Sequence, residues 1–455
     1  MHEMNLVDPV WAWKPFEPTA DRPWDRSLAA HLFRRAGFGA DIETLDAAVK
    51  NGPRDTVAGL LAVNQKVTEF QATADSLAAT VLAGGNPKQL SAAWVYRMLS
   101  TPSPLLEKAT LFWHGHFATS AEKVNDARMM WDQNQLLRKH ALGDYNELVQ
   151  MVAQDPAMLV YLDSAMNRKA HPNENFAREL MELFCLGEGN YSEHDVQELA
   201  RCFTGWEIKN KRFRKNPYQH DSASKSILGQ TGDFGGEDGI RIVMRQPQLE
   251  RFLAAKWFRY FICDEPQPSA ALLQPLADAF RQHNLQVAPV LKMLFSSNLF
   301  YSQHAVGRKI KSPVELVVGM LRSLKGTANA QFVANGLQQI GHGLFYPPSV
   351  KGWDGGRAWI NSSTLLGRTN FIAKLLESDV TKFDGRSLSE YLQDLDVRST
   401  DEAIEHFESC LLAVELSKAN KVRLGELFDV RRSDQSQPLT ALLHAVTTMP
   451  ECQLG

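Results

Sequence analysis

Cysteine is scarce in this sequence and shows no pairing pattern. Cys185, Cys202, Cys263, Cys410 and Cys452 are odd in number, widely spaced and form no CxxC, which argues against a disulfide framework and a thiolate zinc site. An excess of one charge is also missing. Lys plus Arg number 49 against 52 Asp plus Glu, a formal net charge of −3, so no global field draws nucleic acid or anionic lipid. No apolar run reaches the roughly 18 residues of a membrane span. The opening MHEMNLVDPVWAWKPFEPTADRPW has acids and prolines where an export leader needs basic residues followed by an apolar stretch. These absences lead to the expectation of a soluble, cytoplasmic protein in a reducing compartment. No repeat of roughly 30 to 50 residues is visible, which disfavours an α-solenoid.

What is present is an ordinary globular composition, 455 residues with 44% hydrophobic and 22% charged, enough to bury a sizeable core. The apolar residues recur with the helical period of about 3.6 rather than in alternation. Two helices are expected around Leu28–Arg35 and Leu45–Val49, split by the turn GFGAD. Further helices are expected near 53–63, 88–100, 103–117, 122–140, 144–153, 173–185, 193–203, 246–262, 269–283, 287–298, 312–324, 328–340, 362–377, 401–412 and 417–428. Ser192 with Asp195 forms a capping box, and Gly187 stands where a left-handed residue closes the preceding helix. The fold class is therefore all-α: an N-terminal extension over 1–24, a large helical domain over 25–377 and a helical tail over 378–455. Two stretches break the rhythm. Glu207–Arg245 reads as a long irregular loop with a basic cluster at Lys209–Lys215 and a minor β element near 240–244. Gly341–Thr364, rich in Gly, Pro and rings, reads as a packed, shaped loop.

Four segments together carry a resemblance: PSPLLEKATLFWHGHFATS (102–120), DPAMLVYLDSAMNRKAHPNENFARELMELFCLGEGNYSEHDVQELARCFTGW (155–206), HDSASKSILG (220–229) and PPSVKGWDGGRAWINSSTLLGRTNF (347–371). With RAGFGA (35–40), and in this order over roughly residues 25–375, they resemble the large bacterial family called domain of unknown function 1800. The resemblance implies no established activity. It implies that relatives are often exported and that a protein of the domain of unknown function 1501 family is a natural partner. This chain departs from the exported members by lacking a leader at its start.

The same segments hold the candidate chemistry. At roughly 100° per residue, His114 and His116 stand about 200° apart on an intact helix, so both point one way only if Gly115 unwinds the backbone. An extended His-x-His chelates a metal readily; otherwise one ring packs on Trp113 or bonds a carbonyl and the other is solvated. In HPNENFARELMELF, Pro172 suits the helix entry, Asn173 the cap and Glu174 the first turn. Asn175, Glu179 and Glu182 share a face, with Arg178 beside it. Two carboxylates a turn apart can bind a divalent metal or work as acid and base; equally, Arg178 can pair with Glu182 or with a partner on another helix. His220 and Asp221 suit a ligand or general base, or a local turn in which Asp221 bonds the backbone of Ala223. Trp353, Arg357, Trp359 and Asn361 can wall a site for a sugar or flat substrate, or staple the loop to the helices.

Three functions compete. The first is a metal-dependent hydrolase or oxidoreductase: His114, His116 and Glu179 hold zinc, iron or manganese, while Glu179, Glu182, His220, Asp221 and Arg178 carry the chemistry. Asn175, Trp353, Arg357, Trp359 and Asn361 bind its substrate. The second is a metal-free hydrolase or lyase acting on a glycan, with Glu179 and Glu182 or Asp221 as its carboxylates. The third is a non-catalytic helical scaffold that contacts a partner through the basic stretch.

Overall fold

The computed structural model describes residues 3–63, 68–428 and 437–455. It is 62% helical, and its β structure among the described residues is a few short two-stranded sheets. The fold is all-α with minor β. Most expected helices form within a few residues of their expected limits, among them Leu90–Ser100, Pro104–His116, Tyr145–Ala153, Glu193–Cys202, Leu249–Phe261, Pro313–Ser323 and Ser362–Leu376. The Ser192–Asp195 capping box is present, and Gly187 has φ +81°. Thr68–Gly84, Pro156–Tyr161, Leu388–Asp394 and Gln437–Thr448 are further helices that the apolar period did not single out. No helix among the described residues is long and apolar enough to cross a membrane.

The segment 207–245 is more ordered than its composition suggests. Trp206–Lys209 pairs antiparallel with Arg212–Lys215 across a two-residue turn whose Asn210 and Lys211 have φ of 54° and 61°. Such a left-handed pair matches the twist of a hairpin. Lys225–Ile227 pairs with Gln230–Gly232 through Leu228 and Gly229. The minor β element expected near 240–244 is instead the end of the helix Gly236–Met244. Ile-Arg-Ile-Val has strand propensity, but tertiary packing overrides it. A Cβ on Gly236 would lie 2.1 Å from the Trp206 ring and one on Gly239 2.6 Å from Leu199, so two glycines let this helix press onto its neighbours.

Two apolar clusters form the interior. The first gathers the helices Arg26–Ala36, Tyr145–Ala153, Glu193–Cys202, Gly236–Met244, Leu249–Phe261 and Ala270–Gln282. The second gathers Leu90–Ser100, Pro313–Ser323, Ala330–Gln339 and Ser362–Leu376. Tail residues Leu392, Ile404 and Leu442 belong to that second cluster with Trp94 and Val317, so the core runs across residue 377. The 104–116 helix serves both. Phe112 and Trp113 enter the first cluster and Leu111 the second. A helix wedged between two cores has no solvated side left, and this decides where its histidines go.

Candidate functional site

The helix stays intact through Gly115, and its two imidazoles part company as 200° requires. His114 turns to the second core. Its Nε2 accepts the Phe345 N–H at 3.1 Å and its ring lies against Trp94, Phe345 and Trp353. His116 turns to the first core, among Phe112, Phe117 and Phe184. Its Nε2 lies 3.0 Å from the Tyr145 hydroxyl and 3.2 Å from the Phe184 carbonyl oxygen, while the hydroxyl lies 2.5 Å from that same carbonyl. The tyrosine's one proton goes to the carbonyl, leaving only acceptors in front of Nε2. Nε2 therefore carries the ring proton, and Nδ1 is a bare lone pair. That Nδ1 is buried with no partner among the described residues. Burial, and then the charge of Lys256, hold the His116 pKa well below the usual imidazole value, so the ring is neutral.

The Phe184 carbonyl belongs to the helix that starts as Asn175–Glu179 and continues as a π-helical turn over Leu180–Cys185. Leu186 and Gly187 both donate their N–H to Met181 O there, at 2.8 and 3.1 Å. Such wider turns often accompany functional sites. Glu179 and Glu182 are half-buried on it. Burial, and then the charge of Glu182, raise the Glu179 pKa, against the pull of Lys351 and Arg178. Glu182 accepts the Tyr191 hydroxyl at 3.2 Å. Arg178 pairs with Glu193 on the next helix at 2.7 Å and with Glu174 at 3.0 Å, rather than with Glu182. Glu174, not Asn173 as expected, stands at the helix cap and makes no side-chain cap bond; Asn173 accepts the Asn175 N–H at 2.9 Å in the turn before it, and Asn175 itself is exposed.

His220 and Asp221 are held elsewhere. His220 Nδ1 donates to Thr204 O at 2.9 Å. Asp221 accepts Arg201 Nε at 2.7 Å and the Ala223 N–H at 2.9 Å, the local turn foreseen as its structural alternative. The Arg201 hydrogen bond outweighs burial and lowers the Asp221 pKa. Arg357 is exposed and pairs with Glu265, and Asn361 caps the 362–376 helix by accepting the Thr364 N–H. The proposed donors of a metal are thus spread over separate environments, and no group of three or more His, Cys, Asp and Glu among the described residues can hold a metal ion.

What the fold does build beside His116 is a cavity of about 330 Å³ between the 104–116 helix, the 249–261 helix and the 341–364 loop. Phe112, Tyr260, Trp353 and Trp359 supply rings; Lys256, Arg259, Lys309 and Lys351 supply cations; Asp264, Glu315 and Asp354 supply acids; His116 and His342 supply imidazoles. The loop is pinned where Gly352, at φ +75°, meets the helix: a Cβ there would stand 2.2 Å from the Gly115 carbonyl oxygen. Gly115 is thus the landing point of the loop rather than a break in the helix. A larger groove of about 590 Å³ between residues 373 and 444 brings together one phenyl ring and one lysine.

Several charges on the cavity wall are already satisfied. Lys309 donates to Asp264 at 2.7 Å and to Arg259 O at 3.1 Å. Glu315 pairs with the fully buried Lys108 and accepts the Ser312 N–H. Burial, which alone would raise the Glu315 pKa, is outweighed by Lys108 and Lys309, and the carboxyl titrates below its usual range. That leaves Lys256, Arg259 and Lys351 against Asp354. Arg259 holds only the Asp354 carbonyl oxygen, at 2.7 Å. Lys256 lies over the Phe252 ring, 5.1 Å from its centroid, with no hydrogen bond or ion pair among the described residues. Burial, and then Arg259, bring its pKa down to about 8. His342 stacks on Trp359 and lies tilted against Trp353, with ring centroids 4.8 and 4.7 Å away; its Nδ1 is buried without a partner among the described residues, and burial lowers its pKa to about 3.

A family described as "Protein of unknown function (DUF1800)" matches residues 31–454, nearly the whole chain. The chain belongs to the DUF1800 family. The match carries the family beyond the motifs read from the sequence, through the tail that completes the second core. No curated protein and no solved structure matches the chain.

Of the site residues expected from the sequence, His116, Trp353 and Trp359 line the cavity. Lys256, Arg259, Tyr260, Lys309, Glu315, His342 and Lys351 were missed. One signal was available: LAAKWFRYF and SPVELV each set a charge within an otherwise apolar helical stretch, where a buried charge needs a partner or a ligand.

Proposed function

We propose that this DUF1800 protein binds a small organic anion in the cavity beside His116 and that the cavity is an active site. One observation carries this reading: Lys256, with no hydrogen bond or ion pair among the described residues, stands on a ring-lined cavity wall together with the exposed cations Arg259 and Lys351. Leaving a buried polar atom unmatched costs about 1–3 kcal/mol, which a ligand that supplies the partner returns as affinity. The anion sits by Lys256, Arg259 and Lys351, and a planar or apolar part lies against Trp353 and Trp359. The acids Glu179 and Glu182, one turn apart on a single helix, support a cleft-spanning carboxylate pair less well.

Titration of tryptophan fluorescence with a panel of carboxylates, phosphate esters and uncharged analogues tests this. Saturable binding of anions but not of their neutral analogues, weakened at least about tenfold by Lys256→Met and abolished by Gly352→Val, is the expected result, since a side chain at 352 lifts the loop off the helix. Equal response to charged and neutral analogues, or binding indifferent to both variants, overturns the reading.

A further inference from the structure

The lysines of the cavity wall are not alike. Lys309 is held by Asp264 and by a backbone carbonyl, and Lys351 is exposed on the loop within electrostatic reach of Glu179. Lys256 is half-buried, has no acidic partner among the described residues, and has a phenyl ring beneath its ammonium. Its charged neighbour on the same helix is Arg259, one turn on, and its titration near pH 8 leaves a usable fraction of free amine at neutrality. Close enough to feel its charge lies the neutral ring of His116, whose Nδ1 lone pair is free. An amine nucleophile with a neighbouring cation on one cavity wall calls for a substrate with an acid group beside an electrophilic carbon.

Resting on the organic-anion reading of the cavity, we infer that the substrate class is a 2-oxo acid and that Lys256 forms an imine with its carbonyl carbon. Arg259 holds the carboxylate. The Lys256 Nζ lone pair makes the new C–N bond, the C=O bond breaks, and the oxygen leaves as water carrying both amine protons. No oxidant or reductant is consumed. The aromatic walls accept the organic remainder of the acid.

The test is reductive trapping on the full chain. The protein is incubated with pyruvate and borohydride, the adduct is located by peptide mass spectrometry, and pyruvate and lactate binding are followed in parallel by tryptophan fluorescence. The expected result is one adduct per chain, on Lys256, suppressed by excess lactate and lost in Lys256→Met and Lys256→Arg. Adducts scattered over other lysines and unchanged in Lys256→Met overturn the inference. Carboxylate binding without any Lys256 adduct also overturns it while leaving the anion site standing. Absence of both binding and adduct removes the two together.

Discussion

Two buried charged regions flank the 104–116 helix, and they are finished differently. On one side Glu107 is fully enclosed, and its carboxylate accepts Arg138 Nε at 2.7 Å, Arg138 Nη2 at 2.9 Å and the Trp94 indole N–H at 2.8 Å. Burial would raise its pKa, but Arg138 outweighs it and the group stays ionised. On the other side Lys256 lines a cavity, and neither it nor the buried Nδ1 atoms of His116 and His342 have a hydrogen-bond partner among the described residues. The first region has the saturated geometry of a structural ion pair. The second carries desolvation costs that no partner among the described residues offsets, which is what the proposed anion site requires.

The comparison breaks most sharply at Glu107. Glu107→Ala strands the Arg138 guanidinium in the interior and lowers the unfolding free energy by about 3–5 kcal/mol, read from urea denaturation. A loss below about 1 kcal/mol would erase the distinction between the two regions.

Acid separates them next. His114 and His342, with pKa values of about 3, and His116, displaced the same way, are kept neutral by burial. The unfolded chain protonates them first, near the ordinary value of 6.5. Their contribution to stability is therefore whole above about pH 6.5 and drains as pH falls toward the folded values, by about 1.4 kcal/mol per unit and ring. Asp155, raised by burial to about 7, gains stability over part of that range and offsets one ring. Glu107, depressed when folded, loses its share only below the ordinary carboxylate range near 4.5. Urea midpoints between pH 6.5 and 5 should fall in the wild type and fall less steeply in His342→Asn; parallel slopes would contradict the neutral imidazoles.

The smallest expected change is at Lys256. Lys256→Met removes an unpartnered half-buried charge, so stability stays level or rises by up to about 1 kcal/mol while anion binding weakens. A clear destabilisation would mean that this lysine belongs with Glu107 as structure.

The helices were legible because an apolar stripe with a 3.6-residue period needs only local sequence to be seen, and the Ser192–Asp195 box and Gly187 are local signals too. The Gly236–Met244 helix was not, because Trp206 and Leu199, distant in sequence, decide its backbone. For the site, the motif FWHGH pointed to the correct helix but not to the assembly. His116, Trp353 and Trp359 reach the cavity, whereas His114, Arg178, Glu182, His220 and Asp221 are directed elsewhere by Phe345, Glu193, Tyr191, Thr204 and Arg201.

By itself, then, the sequence determined the helical class, the family, and the roughly 200° between two histidines, since composition and period act within a turn or two of chain. Only tertiary structure decided that this angle spans two cores, that His116 carries its proton on Nε2, and that a lysine some 140 residues along the chain stands unpaired beside it. Partnership between buried groups depends on what lies across the gap, and no local rule reaches that far.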